Sequence, residues 1–196
     1  AEDPLLVRLD RLCRTVHALN YFGRAAGDYN LFLSVQPGLL ETIKDGHGRV
    51  FKRVLDLIGV ETSRVVIEIP AKVNRDWRLL KHVIVNYRSR GYQIAVNHGG
   101  ANDGWMAELG ILYPDIVRLE ASALTQRGGL GSLVDAVHRF GATLLVRDIE
   151  TTQEMSAAIR AGADLLQGRF LGEPARAVAP VAKRAAIAGF HLGYAW

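Results

Sequence analysis

Cysteine, long apolar runs and a one-sided charge are all scarce in this chain, and each scarcity removes a class of answer. The 196 residues contain a single cysteine, Cys13, which rules out a disulfide framework and a thiolate metal cluster. Cys13 falls within the first helical apolar pattern and is expected to be a buried structural thiol. The longest apolar runs fall far short of the roughly 20 residues that cross a bilayer, and Ala1-Glu2-Asp3-Pro4 lacks a basic-then-apolar leader pattern. No membrane association is expected, and the cytoplasm is the expected compartment. Beginning at Ala1 rather than at methionine, the sequence is expected to be a fragment, a processed form or a trimmed one. The 24 basic and 20 acidic residues leave +4, scattered rather than gathered, so nucleic acid is not an expected partner. No Gly-rich dinucleotide fingerprint or phosphate loop follows the first strand pattern, and no serine sits in a nucleophile elbow.

What is present is a regular alternation. With 49% hydrophobic residues the chain can bury one sizeable core, and no stretch reads as a linker, so one domain over 1–196 is expected. It divides into a leading helix (1–28), a core (29–174) and a C-terminal helix (175–196). Leu5, Leu9, Leu12, Cys13, Val16 and Leu19 recur at helical spacing. Helical stripes recur at Val50 to Ile58, closed by Gly59 in a C′ position, at Leu79 to Tyr87, at Met106 to Ile111, at Leu130 to Val137, and at Met155 to Ile159 behind a Thr151 or Thr152 cap. An Ala-rich helix is expected over Val181 to Ala188. Between them lie short apolar runs: 30–35, 65–69, 92–96, 115–120, 143–146 and 163–166. Pro37-Gly38 reads as a break after the first. Strands that are continuously apolar and separated by helices argue for a parallel sheet covered by helices.

Periodicity alone does not separate an open doubly wound sheet from a barrel. The ends of the strands do, because polar groups recur there: Ser34, Glu68, Asn97 with His98, Arg118 with Glu120, Arg147 with Asp148, and Gln167. A (β/α) barrel collects its functional groups on that face. The loop Asn97-His98-Gly99-Gly100-Ala101-Asn102-Asp103-Gly104 is Gly-rich, and the acids that would make it reactive are missing from its start. His98 lacks a ligand partner at metal spacing and reads as surface. Trp105 either packs under the mouth or stands exposed for a partner.

From Asp56 to Pro174 the order and spacing of these residues resemble the EAL domain, the bacterial cyclic di-GMP phosphodiesterase family. Val66-Ile67-Glu68-Ile69 is similar to its strand with a metal-binding Glu in a Leu-Glu-Ile-Thr context. Val96-Asn97-His98-Gly99-Gly100 stands where the family has Ile-Asp-Asp-Phe-Gly, and 115–120 where it has Asp-x-x-Lys-Ile-Asp. Leu145 to Thr151 resembles Ile-Ala-Glu-Gly-Val-Glu-Thr, and Ala161 to Phe170 with Pro174 resembles the closing Gly-x-Asp-x-x-Gln-Gly-Tyr signature. The resemblance implies an α/β fold, a (β/α) TIM-like barrel of EAL type, incomplete here because the first strand or strands and the Glu-Ala-Leu segment have no counterpart.

The resemblance also implies a chemistry, in which Mg²⁺ or Mn²⁺ held by carboxylates and one Asn activates water. The departures fall on that site. Ser34 replaces the Asn, Asn97 and His98 the paired aspartates, Arg118 the lysine, and Arg147 a glutamate. Glu68 remains in place, and Glu150 and Gln167 match as supporting groups. One carboxylate does not hold divalent ions against their hydration, so no metal, no cofactor and no catalytic residue is expected. Arg147 or Arg118 is expected either to pair with Glu68 in place of the metals or to reach into solvent. The expected function is a catalytically inactive regulatory or protein-interaction module in bacterial signalling. The alternative is a cyclic di-GMP receptor using Arg118 and Arg147 without hydrolysis; an active phosphodiesterase comes third, since it would need a metal site built elsewhere. A barrel lacking strands leaves open edges, so a protein partner, a homodimer or coverage by a terminal helix is expected.

Overall fold

The computed structural model describes residues 4–24, 29–42, 46–98, 109–125 and 130–173. Val181 to Ala188, Trp105 and most of the Gly-rich loop lie outside them. The described residues form β1 (Leu31–Ser34), β2 (Val65–Ile69), β3 (Gln93–Asn97), β4 (Ile116–Glu120), β5 (Thr143–Arg147) and β6 (Leu165–Leu166), alternating with helices. The helices are α1 (Pro4–Phe22), α2 (Pro37–Thr42), α3 (Arg49–Leu57), α4 (Trp77–Arg88), α5 (Leu109–Leu112), α6 (Ala121–Thr125), α7 (Leu130–Arg139) and α8 (Thr152–Arg160). The strands hydrogen-bond in chain order, from β1 through β6. A doubly wound sheet reverses its order at a switch point, whereas a barrel keeps it. The architecture is therefore that of an incomplete (β/α) barrel. Among the described residues no helix is long and apolar enough to cross a membrane.

Contacts divide the chain into two compact units, residues 1–95 and 96–196. In the first, β1 and β2 run parallel with Leu31 opposite Val65 and Ser34 opposite Glu68. All five residues of β2 are buried, and Leu80, Val83, Ile84 and Tyr87 of α4 supply buried helical side chains. Local chemistry sets the helix ends. The Asp76 side chain accepts from the Leu79 amide at 3.0 Å, capping α4. Gly59, at φ 70°, closes α3 in the left-handed conformation, where the Val60 amide reaches back to the Leu55 carbonyl at 2.9 Å. Pro37, read from sequence as a break after the first strand, follows the end of β1 at Ser34 and also opens α2, because proline lacks only an amide that the first helical turn would leave unpaired.

α1 presents the opposite of the expected face. Its inward stripe is Asp10, Arg14, Ala18 and Tyr21, all buried, and its apolar stripe of Leu5, Leu9, Leu12, Val16 and Leu19 is exposed. Cys13 is likewise exposed, correcting the buried thiol expected from the pattern. The reason is a polar anchor one turn long: Asp10 pairs with Arg14, whose guanidinium also donates to the Tyr87 hydroxyl at 3.4 Å and lies over the Phe51 ring. Neighbouring histidines are absorbed in packing, with the buried His47 ring stacked on Tyr87 and its centroid 6.0 Å from that of His82.

In the second unit β4 and β5 pair in parallel with Arg118 opposite Leu145 and Glu120 opposite Arg147. Ala121, Val146, Ile149, Ala158, Ala163 and Leu166 form a buried cluster on which Leu124, Met155, Ile159 and Leu171 pack. α8 starts on a capping box. The Thr151 hydroxyl accepts from the Glu154 amide at 3.2 Å, and the Glu154 carboxylate accepts from the Thr151 amide at 3.0 Å.

Candidate functional site

Side chains two apart on a strand share a face, and register partners on a parallel pair stand side by side. In the first unit this rule joins Ser34 and Glu68. Both lie at or near the carboxyl ends of their strands, and the Ser34 hydroxyl donates to Glu68 Oε2 at 2.5 Å. Glu68 is only 6% exposed, so its charge is held by hydrogen bonding rather than by bulk water.

The same rule in the second unit places Arg118, Glu120 and Arg147 on one face. Arg118 is buried, 6% exposed, and donates from Nη2 to Gln167 Oε1 at 2.9 Å; it does not reach out to solvent. Arg147 pairs with Glu120 across the register and with its neighbour Asp148 at 3.2 Å. Asn97 ends β3 and is half-buried, as is His98 behind it, whose amide donates to the Arg118 carbonyl at 2.7 Å. Glu150 has an exposed side chain, and its amide donates to the Glu154 carboxylate at 2.8 Å, so its place is at the start of α8.

Two backbone features hold this arrangement. Asp148 has φ 60°, a left-handed conformation that Asp tolerates better than most non-glycine residues. It occupies the position of the glycine in Ile-Ala-Glu-Gly-Val-Glu-Thr. Gly168 lies so close to Ile149 that an added Cβ would sit 2.0 Å from the Ile149 carbonyl oxygen. Its neighbour Gln167 donates its amide to the Val146 carbonyl at 2.8 Å and accepts the Ile149 amide at 3.0 Å. The Gln-Gly pair thus seats the Gln167 side chain against Arg118.

The donor set does not suit a hard divalent ion. Mg²⁺ and Ca²⁺ take several oxygen ligands with converging negative charge, and among the described residues no three His, Cys, Asp or Glu side chains gather to hold a metal. In the second unit the carboxylates of Glu120 and Asp148 share the single Arg147 guanidinium, which offsets one of their two charges and occupies an oxygen of each.

The sequence profile of the EAL domain matches residues 1–174. The chain belongs to the EAL domain family. Among EAL proteins it is similar to the uncharacterised EAL-domain protein YkuI of Bacillus subtilis strain 168, at 29% identity over 168 residues, 80% of this chain and 40% of YkuI. The crystal structure of YkuI, in complex with substrate c-di-GMP and calcium, superposes with a TM-score of 0.73 at 28% identity, covering 89% of this chain and 45% of that one. The EAL fold is further matched by Klebsiella pneumoniae BlrP1 in a calcium and c-di-GMP complex, with TM-score 0.70, 21% identity and coverage of 83% and 43%. The Xanthomonas citri FimX EAL domain bound to c-di-GMP matches with TM-score 0.68, 18% identity and coverage of 89% and 73%. The chain thus spans about two fifths of YkuI, and its parallel sheet with intervening helices is an incomplete EAL barrel.

The strand-end positions legible in sequence are Ser34, Glu68, Asn97, His98, Arg118, Arg147 and Gln167. Sequence reasoning noted Glu120 and Asp148 at the same ends without pairing them to Arg147. The signal was available in the alternation of Arg118 and Glu120 on β4, which puts both on the face that Arg147 shares.

Proposed function

We propose that this EAL domain is catalytically inactive and works as a regulatory or protein-interaction module. The observation that carries the reading is the Arg147 guanidinium, held by Glu120 and Asp148 at the carboxyl end of β5. Where the family motif has a glutamate, a permanent cation stands. It offsets one of the two nearest carboxylate charges and repels a divalent ion, and the Coulomb cost of two like unit charges a few ångströms apart is on the order of 4 kcal/mol in a partly screened site, doubled for a divalent ion. Asn97 and His98 in place of paired aspartates remove two further anionic ligands. The test is to incubate the protein with cyclic di-GMP and Mg²⁺ or Mn²⁺ and separate the nucleotides chromatographically. No linear dinucleotide is expected; turnover that Glu68→Ala abolishes would overturn the reading.

A second reading, a receptor that binds cyclic di-GMP without cutting it, is favoured by one feature. Arg118 is buried and oriented by Gln167, and an ordered guanidinium suits a phosphate. YkuI, similar at 28% identity, has been crystallised with c-di-GMP. Calorimetry with and without Mg²⁺ separates the two. No heat leaves the interaction module; metal-independent micromolar binding that weakens at least tenfold in a folded Arg118→Gln variant makes the protein a receptor.

A further inference from the structure

The exposed stripe of α1 is not an arbitrary scatter of leucines. Leu5, Leu9, Leu12, Val16 and Leu19 are separated by four, three, four and three residues, the spacing of a coiled-coil seam. In heptad terms Leu9 and Val16 stand at a, and Leu5, Leu12 and Leu19 at d. Leucine at d with a β-branched residue at a favours two-stranded pairing in parallel dimers, a pattern met at Val16 and not at Leu9. Leu5 is 72% exposed, Leu12 60% and Leu9 53%, and the stripe carries no charge. Positions flanking such a seam set which partners are rejected. Here they are Leu6, Cys13 and Asn20 on one side and Arg8, Thr15 and Phe22 on the other. Arg8 is their one charged member, so two copies meet without a like-charge pair forced by either rim.

We propose that the partner of this face is a second copy of the same chain, the two α1 helices packing seam to seam about a two-fold axis. Three observations support this pairing, the third of them bearing on a second copy in particular. The seam is self-complementary, as an isologous interface requires. The opposite face of α1 is already docked through Asp10, Arg14, Ala18 and Tyr21, so the helix is ordered before it pairs and the entropic cost of association is reduced. The exposed parts of the six apolar side chains, counting Leu6, amount to roughly 500 Å² per copy, or roughly 1,000 Å² for the pair. That area lies at the lower limit for a specific interface, which sets the expected affinity in the micromolar range. The inference does not depend on whether the strand-end arginines bind a nucleotide.

The test is sedimentation equilibrium from about 1 to 200 μM, a range that brackets a micromolar dissociation constant. The unaltered protein should pass from monomer to dimer mass. Leu12→Glu should stay monomeric throughout, with an unchanged far-UV circular dichroism spectrum, because Leu12 is outside the core. Should that variant lose its fold, Cys13 reads the same contact in the native backbone. It is the chain's only cysteine and is exposed beside the seam, so a nitroxide placed there should give a dipolar distance fitting helix axes about 8–10 Å apart. A monomer at the highest concentration, a dimer that survives Leu12→Glu, or a dimer without that distance would each overturn the proposal. Binding of the monomer to anionic vesicles through the same leucines would do so too.

Discussion

Substituting a charged residue on α1 should harm this protein more than substituting a leucine on it. Asp10 and Arg14 are both buried and paired, and Arg14 also meets the Tyr87 hydroxyl and the Phe51 ring. Asp10→Ala leaves that guanidinium buried without its carboxylate, a change that costs about 3–5 kcal/mol where it has been measured in other proteins. Against a total stability of roughly 5–15 kcal/mol for an ordinary domain, that is a large share. Leu12 is 60% exposed, so Leu12→Ala gives up at most two fifths of the ~1.5–3 kcal/mol that burying a leucine brings. Alanine's slightly better helix propensity returns a few tenths of that. The expected order is a loss of about 3 kcal/mol or more for Asp10→Ala and below about 1 kcal/mol for Leu12→Ala. Urea unfolding followed by circular dichroism at low micromolar concentration, where self-association does not contribute, measures both. The double variant Asp10→Leu with Arg14→Met should recover most of the loss, since a buried pair replaced by apolar groups of similar volume is often neutral. A Leu12→Ala cost equal to or above that of Asp10→Ala would mean that α1 docks through its apolar stripe, and the reasoning would fail.

Three further outcomes follow from single contacts. Thr151→Ala should cost about 1 kcal/mol by removing the capping box of α8, and urea unfolding should register it. The Glu154 carboxyl is held below its ordinary 4.5 chiefly by the hydrogen bond from the Glu150 amide; its contribution is therefore present above that value and fades as pH falls through the lowered one, in the parent and in Thr151→Ala alike, because both keep that backbone donor. Gly168→Ala drives a methyl into the Ile149 backbone and should cost several kcal/mol, on the order of the worst overpacked cores; an unchanged melting temperature would show that the turn has room to shift. A double-mutant cycle of Ser34→Ala and Glu68→Gln should give a coupling of about 1 kcal/mol, small for a charged hydrogen bond because the exposed Ser34 can be replaced by water.

The parts legible in sequence were those fixed by near neighbours. Apolar runs became strands, Gly59 closed α3, and Thr151 capped α8, because each needs only residues within a few positions. Pro37 marked the end of the first strand, but the short helix it opens was not expected, since the same residue that ends one element can begin the next. The misplacement of Cys13 is more instructive. Helical periodicity identifies a stripe but not the side it faces, and here a two-residue ion pair in contact with Tyr87, 73 positions away from Arg14, takes the inward side. The candidate site followed the same division. Its residues could be found at the strand ends, whereas the partners of Arg147 and Arg118 depend on register and on the Gly168 turn, which no window of sequence contains.

The substitutions at the strand ends also bear on what the fold needs in order to stand. Where carboxylates converge without a metal, their mutual repulsion burdens the folded state, and adding the ion relieves it. Arg147 between Glu120 and Asp148 and Ser34 on Glu68 supply partners from within the chain, so that relief is already built in. Adding divalent ions should therefore leave stability where it was. A site of about 100 μM affinity exposed to about 10 mM Mg²⁺ would add roughly 2.7 kcal/mol, which for a chain of this size raises the melting temperature by several degrees. The expected shift is below one degree, read by differential scanning calorimetry with Mg²⁺, with Mn²⁺ and after chelation, against a potassium chloride control of equal ionic strength. A shift of several degrees that disappears in Glu68→Gln would show that Glu68 still takes part in holding a metal, and the inactive reading would lose its physical basis.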